Sequence, residues 1–356
     1  MITCREMPRL LPYLLFPILA AAVAPSPATA CQICLPIPRN SAADHLLDAD
    51  AIVLARENPE RPFSLKTVEV LAGNPPPEEI DLFVDSATRR LLSLDANRKV
   101  VCIYSTKLPD TPWKRVAITN EQIEPVLREI LKQPASWKNN PQARAAFFAK
   151  YLGHEDPQLN TLAHLEVARA PYGDIAQLGR TLPSENVRAF LSNLRLTEWH
   201  ALYILLLAQS NAEEDQKRIS DSLRSAERFR LSHQLAAWAT AAIEVEGKPA
   251  IDFINSKYLS NPQRSIDEVA PVLQALATQG SYQPDYRDDI VASFTLALEH
   301  HPDQAPLITS NLLDWNRWEL APRIAHLLTT QDTSFDPDFL KMRSYVRQAR
   351  NQQAAE

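Results

Sequence analysis

The chain changes pattern at Pro134, and that change constrains its architecture more than any other feature. Before it run short β-branched segments at 51–56 (AIVLAR), 63–71 (FSLKTVEVL), 80–85 (IDLFVD), 99–105 (KVVCIYS) and 114–119 (KRVAIT). Turn-forming runs such as Gly73-Asn74-Pro75-Pro76-Pro77 and Pro109-Asp110-Thr111-Pro112 separate them. Short alternating segments bounded by glycine and proline predict strands joined by tight connections. The expectation is a small antiparallel β-domain, a barrel or sandwich, with one helix near His45 before it and another over 120–132 after it.

After Pro134 the strand pattern gives way to helix starts and stops. Asn140-Pro141 and Asp156-Pro157 each place a capping side chain directly before a proline at the first helical position, and Gly153 is placed to end the first of these helices. Further helices are expected at 184–192, 197–209, 213–226, 229–246, 264–279, 285–299, 304–313, 317–329 and 336–348. Their apolar residues recur at three and four, as in Leu162, Leu165 and Ala168 or Ile290, Phe294 and Leu298. Helices of this length, taken in pairs, give units of roughly 35 to 45 residues, the period of stacked helical repeats. The region is therefore read as solenoid-like, with an irregular bundle as the alternative. The fold class expected is α+β: residues 1–30 a leader, 31–133 the β-domain with flanking helices, 134–350 a helical repeat domain, and 351–356 a disordered tail.

The leader reading rests on Arg5 and Arg9 before an apolar stretch from Leu10 to Val23, and on Ala28-Thr29-Ala30 as a small-x-small cleavage site. Pro12 and Pro17 break the apolar stretch, which falls short of the roughly 20 residues needed to span a bilayer. Cleavage is therefore expected, with export to the periplasm or envelope or secretion beyond it. Removing Arg5, Glu6 and Arg9 takes away a net +1 and moves the formal charge from −6 to −7. A mildly acidic chain without a basic stripe is not a nucleic-acid binder.

Cysteine count narrows the chemistry further. Cys4 leaves with the leader, so Cys31, Cys34 and Cys102 remain, an odd number for an oxidising compartment. Either one thiol is free, or one is occupied by something other than cysteine. Cys31 directly follows the cleavage site, where a bacterial lipoprotein carries its lipid; ordinary cleavage leaves it as a plain N-terminus. Lipidation would be the chain's one link to a membrane and would leave Cys34 and Cys102 as a disulfide pair. Such a bridge closes a loop of roughly 70 residues, worth about 4 kcal/mol in the chain-entropy treatment.

Few motifs carry catalytic chemistry. Cys31-Gln32-Ile33-Cys34 has the C-x-x-C spacing of a thiol oxidoreductase, but no strand precedes it, and Leu35-Pro36-Ile37-Pro38 opens a helix poorly. Leu35 stands where haem attachment needs histidine, and no second close pair completes a zinc site. The six glycines are too scattered for phosphate-binding loops or nucleophile elbows. None of the eight histidines stands in a ligand spacing; His300-His301 sits at a helix end, where it complements the dipole. Trp315 and Trp318 form either a contact patch or, as preferred here, interhelical packing. No catalytic, cofactor-binding or metal-binding residue is assigned, and no cofactor is expected.

C-x-x-C at the mature terminus is followed by Leu47-Asp48-Ala49-Asp50-Ala51-Ile52-Val53-Leu54-Ala55-Arg56 and then by Val68-Glu69-Val70-Leu71-Ala72-Gly73. This order resembles the netrin-like domain shared with tissue inhibitors of metalloproteinases, over residues 31 to about 118. The resemblance implies an OB-type barrel clamped to its N-terminal segment by disulfides. It also implies inhibition of zinc proteases through the free amine and carbonyl of Cys31. The inhibitors begin with C-x-C, and this chain with C-x-x-C. The helical part, including Ala168-Arg169-Ala170-Pro171-Tyr172, resembles HEAT-like extensions of uncharacterised bacterial exported proteins. The preferred expectation is a non-enzymatic envelope protein that binds a protein partner or envelope component. Metalloprotease inhibition through Cys31 is the first alternative, and thiol oxidoreduction by the C-x-x-C pair the second.

Overall fold

The computed structural model describes residues 33–34, 40–76, 80–108, 111–133, 137, 140–330 and 337–354. The leader and Cys31 lie outside them. Strands β1 (Ala51–Glu57), β2 (Leu65–Gly73), β3 (Val100–Tyr104) and β4 (Trp113–Ile118) form one antiparallel sheet in the order β2-β1-β3-β4. Among the described residues the sheet stays open, with β2 and β4 as its edges, where an OB-type barrel would close on itself. Two register shifts along the β1–β2 pair bulge that edge. Gly73 ends β2 at φ +72°, and a Cβ there would lie 2.1 Å from the Asp50 carbonyl, so only glycine fits.

Strand alternation sorts the sheet's two faces. Ile52, Leu54, Val101 and Ile103 point inward onto α1 (Ala42–Leu47), α3 (Ile123–Ile130) and the helical region. Val53, Ala55, Val100 and Cys102 point outward under Leu65, Ile80, Val84, Trp113 and Leu92 of α2 (Ser86–Leu94). The strand expected at 80–85 is reduced to one bridge, Leu65 to Ile80. The chain needs that stretch to bury Ile80 and Val84 and then to cap α2 with Asp85, whose side chain accepts from the Thr88 amide at 2.9 Å.

The helical region supplies the rest of the sixteen helices among the described residues. α4 (Pro141–Ala149) and α5 (Pro157–Ala168) begin as expected: Asn140 accepts from Ala143 at 2.9 Å and Asp156 from Leu159 at 2.8 Å. Then follow α6 (Tyr172–Gly179), α7 (Ser184–Leu191), α8 (His200–Leu207), α9 (Glu213–Phe229), α10 (Leu235–Glu246) and α11 (Lys248–Ile254). The chain closes with α12 (Ile266–Tyr282), α13 (Arg287–His300), α14 (Ala305–Trp315), α15 (Ala321–Thr330) and α16 (Pro337–Gln353). α16 thus enters the segment expected to be a disordered tail. None of these helices is long and apolar enough to cross a membrane.

Even-numbered helices stack in sequence, α4 on α6, α6 on α8, α8 on α10, α10 on α12, α12 on α14 and α14 on α16. The odd-numbered ones lie against them: α7 on α8, α9 on α10, α13 on α12 and α15 on α16. This alternation is the two-layer arrangement of a solenoid. α8 (HALYILLL) is apolar all round and buried from Ala201 to Leu207, as an inner-layer helix must be. The inner layer curls until α6 also meets α12, where Tyr172 and Tyr282 pack edge to face at 5.0 Å.

One hydrophobic core runs from Ile33 and the inner sheet face through the solenoid to Ala349. The change of element type between α3 and α4 is therefore not a break in packing. A buried polar cluster reinforces the join. Arg144 donates to Glu166 at 2.6 and 2.8 Å and to Asp44 at 2.7 Å; Ser41 also bonds Glu166, and Arg169 bonds Asp44.

Candidate functional site

The two described cysteines, Cys34 and Cys102, do not converge on a site. Cys34 is buried in the inner core, whereas Cys102 is a free thiol in the outer cluster on the sheet's other face. The structure does not bring the expected Cys34–Cys102 pair together, because alternation along β3 turns Cys102 away while Val101 and Ile103 face inward. Burial, opposed weakly by Arg115, pushes the Cys102 thiol up to about 12, so it carries no thiolate at neutral pH. Cys31 lies outside the described residues.

Both tryptophans pack between helices. Trp315 is buried against Gly280 and Phe294 and donates to Ser281 at 3.0 Å; Trp318 stacks on Tyr345. His301 is buried at the end of α13. Among the described residues no group of three His, Cys, Asp or Glu side chains is placed to hold a metal ion.

Convergent polar chemistry appears instead where the inner helices end. The C-termini of α6, α8 and α10 open on a cleft of about 470 Å³, lined by Arg180, Gln209, Ser210, Asn211, Gln216 and Glu244. A second opening of about 180 Å³ shares Arg180, Gln209, Ser210 and Asn211 and prolongs it into a groove. Gly179 permits this approach: a Cβ there would meet the Gln209 side chain at 2.7 Å and the Leu206 carbonyl at 2.9 Å.

Each polar wall is oriented from behind. The Glu244 Oε2 atom accepts from the Tyr172 hydroxyl at 3.1 Å and from the amides of Gln279 at 3.1 Å and Gln283 at 3.0 Å. Its Oε1 has no partner among the described residues, and the side chain is half-buried. Burial foremost, then the Glu244 charge, raises the Tyr172 pKa well above its ordinary value, so the phenol remains a donor to that carboxylate. Arg180 Nε donates to Gln209 at 3.2 Å and one terminal nitrogen to Tyr282 at 3.3 Å; the other terminal nitrogen has no partner among the described residues. Because Gln209 Oε1 accepts from Arg180, its amide nitrogen faces away, buried and without an acceptor.

The groove thus presents an aligned carboxylate oxygen and an aligned guanidinium, each held by neutral neighbours, beside several amides. The sequence reading missed it because its residues come from helices more than 60 positions apart. One legible trace was Glu244 interrupting the apolar run of α10 (LAAWATAAIEVE). Another was Gln279 and Gln283 one turn apart. Comparison with family models, with curated proteins and with solved structures found no match to this chain.

Proposed function

We propose that the chain is an exported protein of the bacterial cell envelope that binds another protein as a scaffold, through the helical part rather than through a catalytic centre. The observation that carries this reading is the register of the inner helices. Their sequential stacking lines up three helix ends along one groove lined by Glu244 and Arg180, with one Glu244 oxygen and one Arg180 nitrogen without partners among the described residues. Stacked helical hairpins offer extended surfaces suited to protein recognition. Export rests on the basic, apolar and small-residue order of residues 1–30.

The test is photocrosslinking in the native host, with the reactive side chain placed in turn at Asn211, Gln216 and Asp267. Discrete adducts from the two groove positions, in the envelope fraction and not from Asp267, are expected. No adduct from either groove position overturns the reading. So does catalytic turnover by the purified chain that is lost on substituting a defined residue.

A further inference from the structure

We infer that this groove takes an extended peptide segment bearing a lysine or arginine side chain. The cation meets Glu244, and neighbouring backbone carbonyls meet Arg180, Asn211 and Gln216. The inference rests on the protein-binding reading above and adds the chemistry of the partner.

Three features point to a cation at the Glu244 end. The Glu244 carboxylate is hydrogen-bonded by three neutral donors on one oxygen, with no cation among the described residues paired to the other, so its negative charge is positioned but not neutralised there. The C-terminal ends of α6, α8 and α10 converge there, and the last carbonyls of a helix carry partial negative charge. The whole chain is acidic, at −6, which favours encounter with a basic partner.

Two further features point to a peptide backbone beside that cation. The wall is rich in amides, which both donate and accept, as an extended main chain requires. Asn211 is exposed and Gln216 half-buried on that wall, so their amides are open to a main chain laid along it. A ligand carbonyl along the wall accepts from these amides, while the Arg180 terminal nitrogen that has no partner among the described residues binds the next. The cleft, at about 470 Å³, has room for one long side chain and its flanking peptide groups.

The experiment titrates the protein isolated from its host with blocked pentapeptides that differ only in a central lysine, arginine, norleucine or glutamate. NMR signals of the Gln209, Asn211 and Gln216 side-chain amides give the readout. Lysine and arginine peptides are expected to shift these signals, and norleucine and glutamate peptides not to. Glu244→Gln should weaken the basic peptides by about tenfold, the scale of a lost charged hydrogen bond. Arg180→Ala, at an exposed position that leaves packing intact, should weaken them through the backbone contact. Equal binding of norleucine and lysine peptides, or no shift with any peptide, overturns the inference. If no peptide binds while the Asn211 photoadduct persists, the ligand chemistry is wrong and the scaffold reading stands. If both fail, both readings fall.

Discussion

Glu166 and Glu244 are both carboxylates held by several donors, and the difference between them separates a structural site from the proposed binding site. At the join between sheet and helices, the Glu166 side chain is fully buried; Arg144 engages both its oxygens and Ser41 adds a third bond. Its charge is neutralised where no ligand can reach. Glu244 is half-buried, receives only neutral donors, all on one oxygen, and turns the other to an open groove. A buried charge must be paired to be tolerated. A charge oriented by neutral groups keeps its attraction for an incoming partner. Donor number is the same at the two sites; donor charge and access decide the role.

The comparison is broken most severely at the join. Glu166→Ala leaves Arg144 buried with Asp44 as its one remaining carboxylate, and loss of a buried partner of this kind costs about 3–5 kcal/mol. Urea or thermal unfolding of the variant measures it. A loss no larger than that of a surface substitution would mean that the cluster does not hold the two regions together.

Acidity sharpens the same contrast. Burial works to raise the Asp44 carboxyl, but hydrogen bonds from Arg169, the Ser41 backbone and Arg144 outweigh it and hold the folded pKa below the ordinary value. Its contribution is therefore full above the unfolded pKa, near about 4, and is lost as pH falls through the folded one. His164, also on α5, titrates in a higher window. Burial lowers its pKa despite the opposing influence of the Asn160 carbonyl and Glu198. The ring bonds that carbonyl at 2.8 Å and the Tyr203 hydroxyl at 3.0 Å. The neutral form is favoured in the fold, so this contribution is full above about 6.5 and is lost as pH falls from there toward the folded pKa. Unfolding midpoints should fall in two steps on acidification. His45, whose pKa burial and Lys114 also lower, contributes to the upper step, so His164→Gln should remove part of that step and Asp44→Asn part of the lower.

Much of the fold was written in local sequence, and the exceptions have identifiable causes. β1 and β4 follow their β-branched runs, and α4 and α5 start where Asn140-Pro141 and Asp156-Pro157 place a cap before a proline. The 80–85 run imitates a strand because Ile80 and Val84 are buried in the outer cluster, yet its last residue, Asp85, is a helix cap. α6 and α11 were obscured by Gly173, Gly179 and Pro249, residues that suit close packing or a first helical turn and look like loop formers in isolation. Cysteine parity suggested the Cys34–Cys102 bridge, but parity carries no information about which sheet face a strand residue occupies. Cys102→Ala tests that placement. As a free, buried small side chain it should cost about 1 kcal/mol, whereas a bridging cysteine would cost on the order of 4 kcal/mol.

The smallest effects on stability belong to the groove. Glu244→Gln keeps an oxygen for Tyr172 and the two glutamines and frees no buried cation, so its cost should stay near 1 kcal/mol, the net worth of an ordinary hydrogen bond. Arg180 is exposed, and its removal should fall within about 0.5 kcal/mol of the parent. Measured beside Glu166→Ala, these variants separate two meanings of a conspicuous polar cluster. If they unfold the protein as severely as the Glu166 variant does, Glu244 is a second internal fastening and its open oxygen is incidental. If they leave the unfolding midpoint nearly unchanged while crosslinking at Asn211 disappears, the groove is held in shape by the solenoid and not for its sake. That is the relation expected when a rigid frame carries a binding site whose own groups are free to meet a ligand.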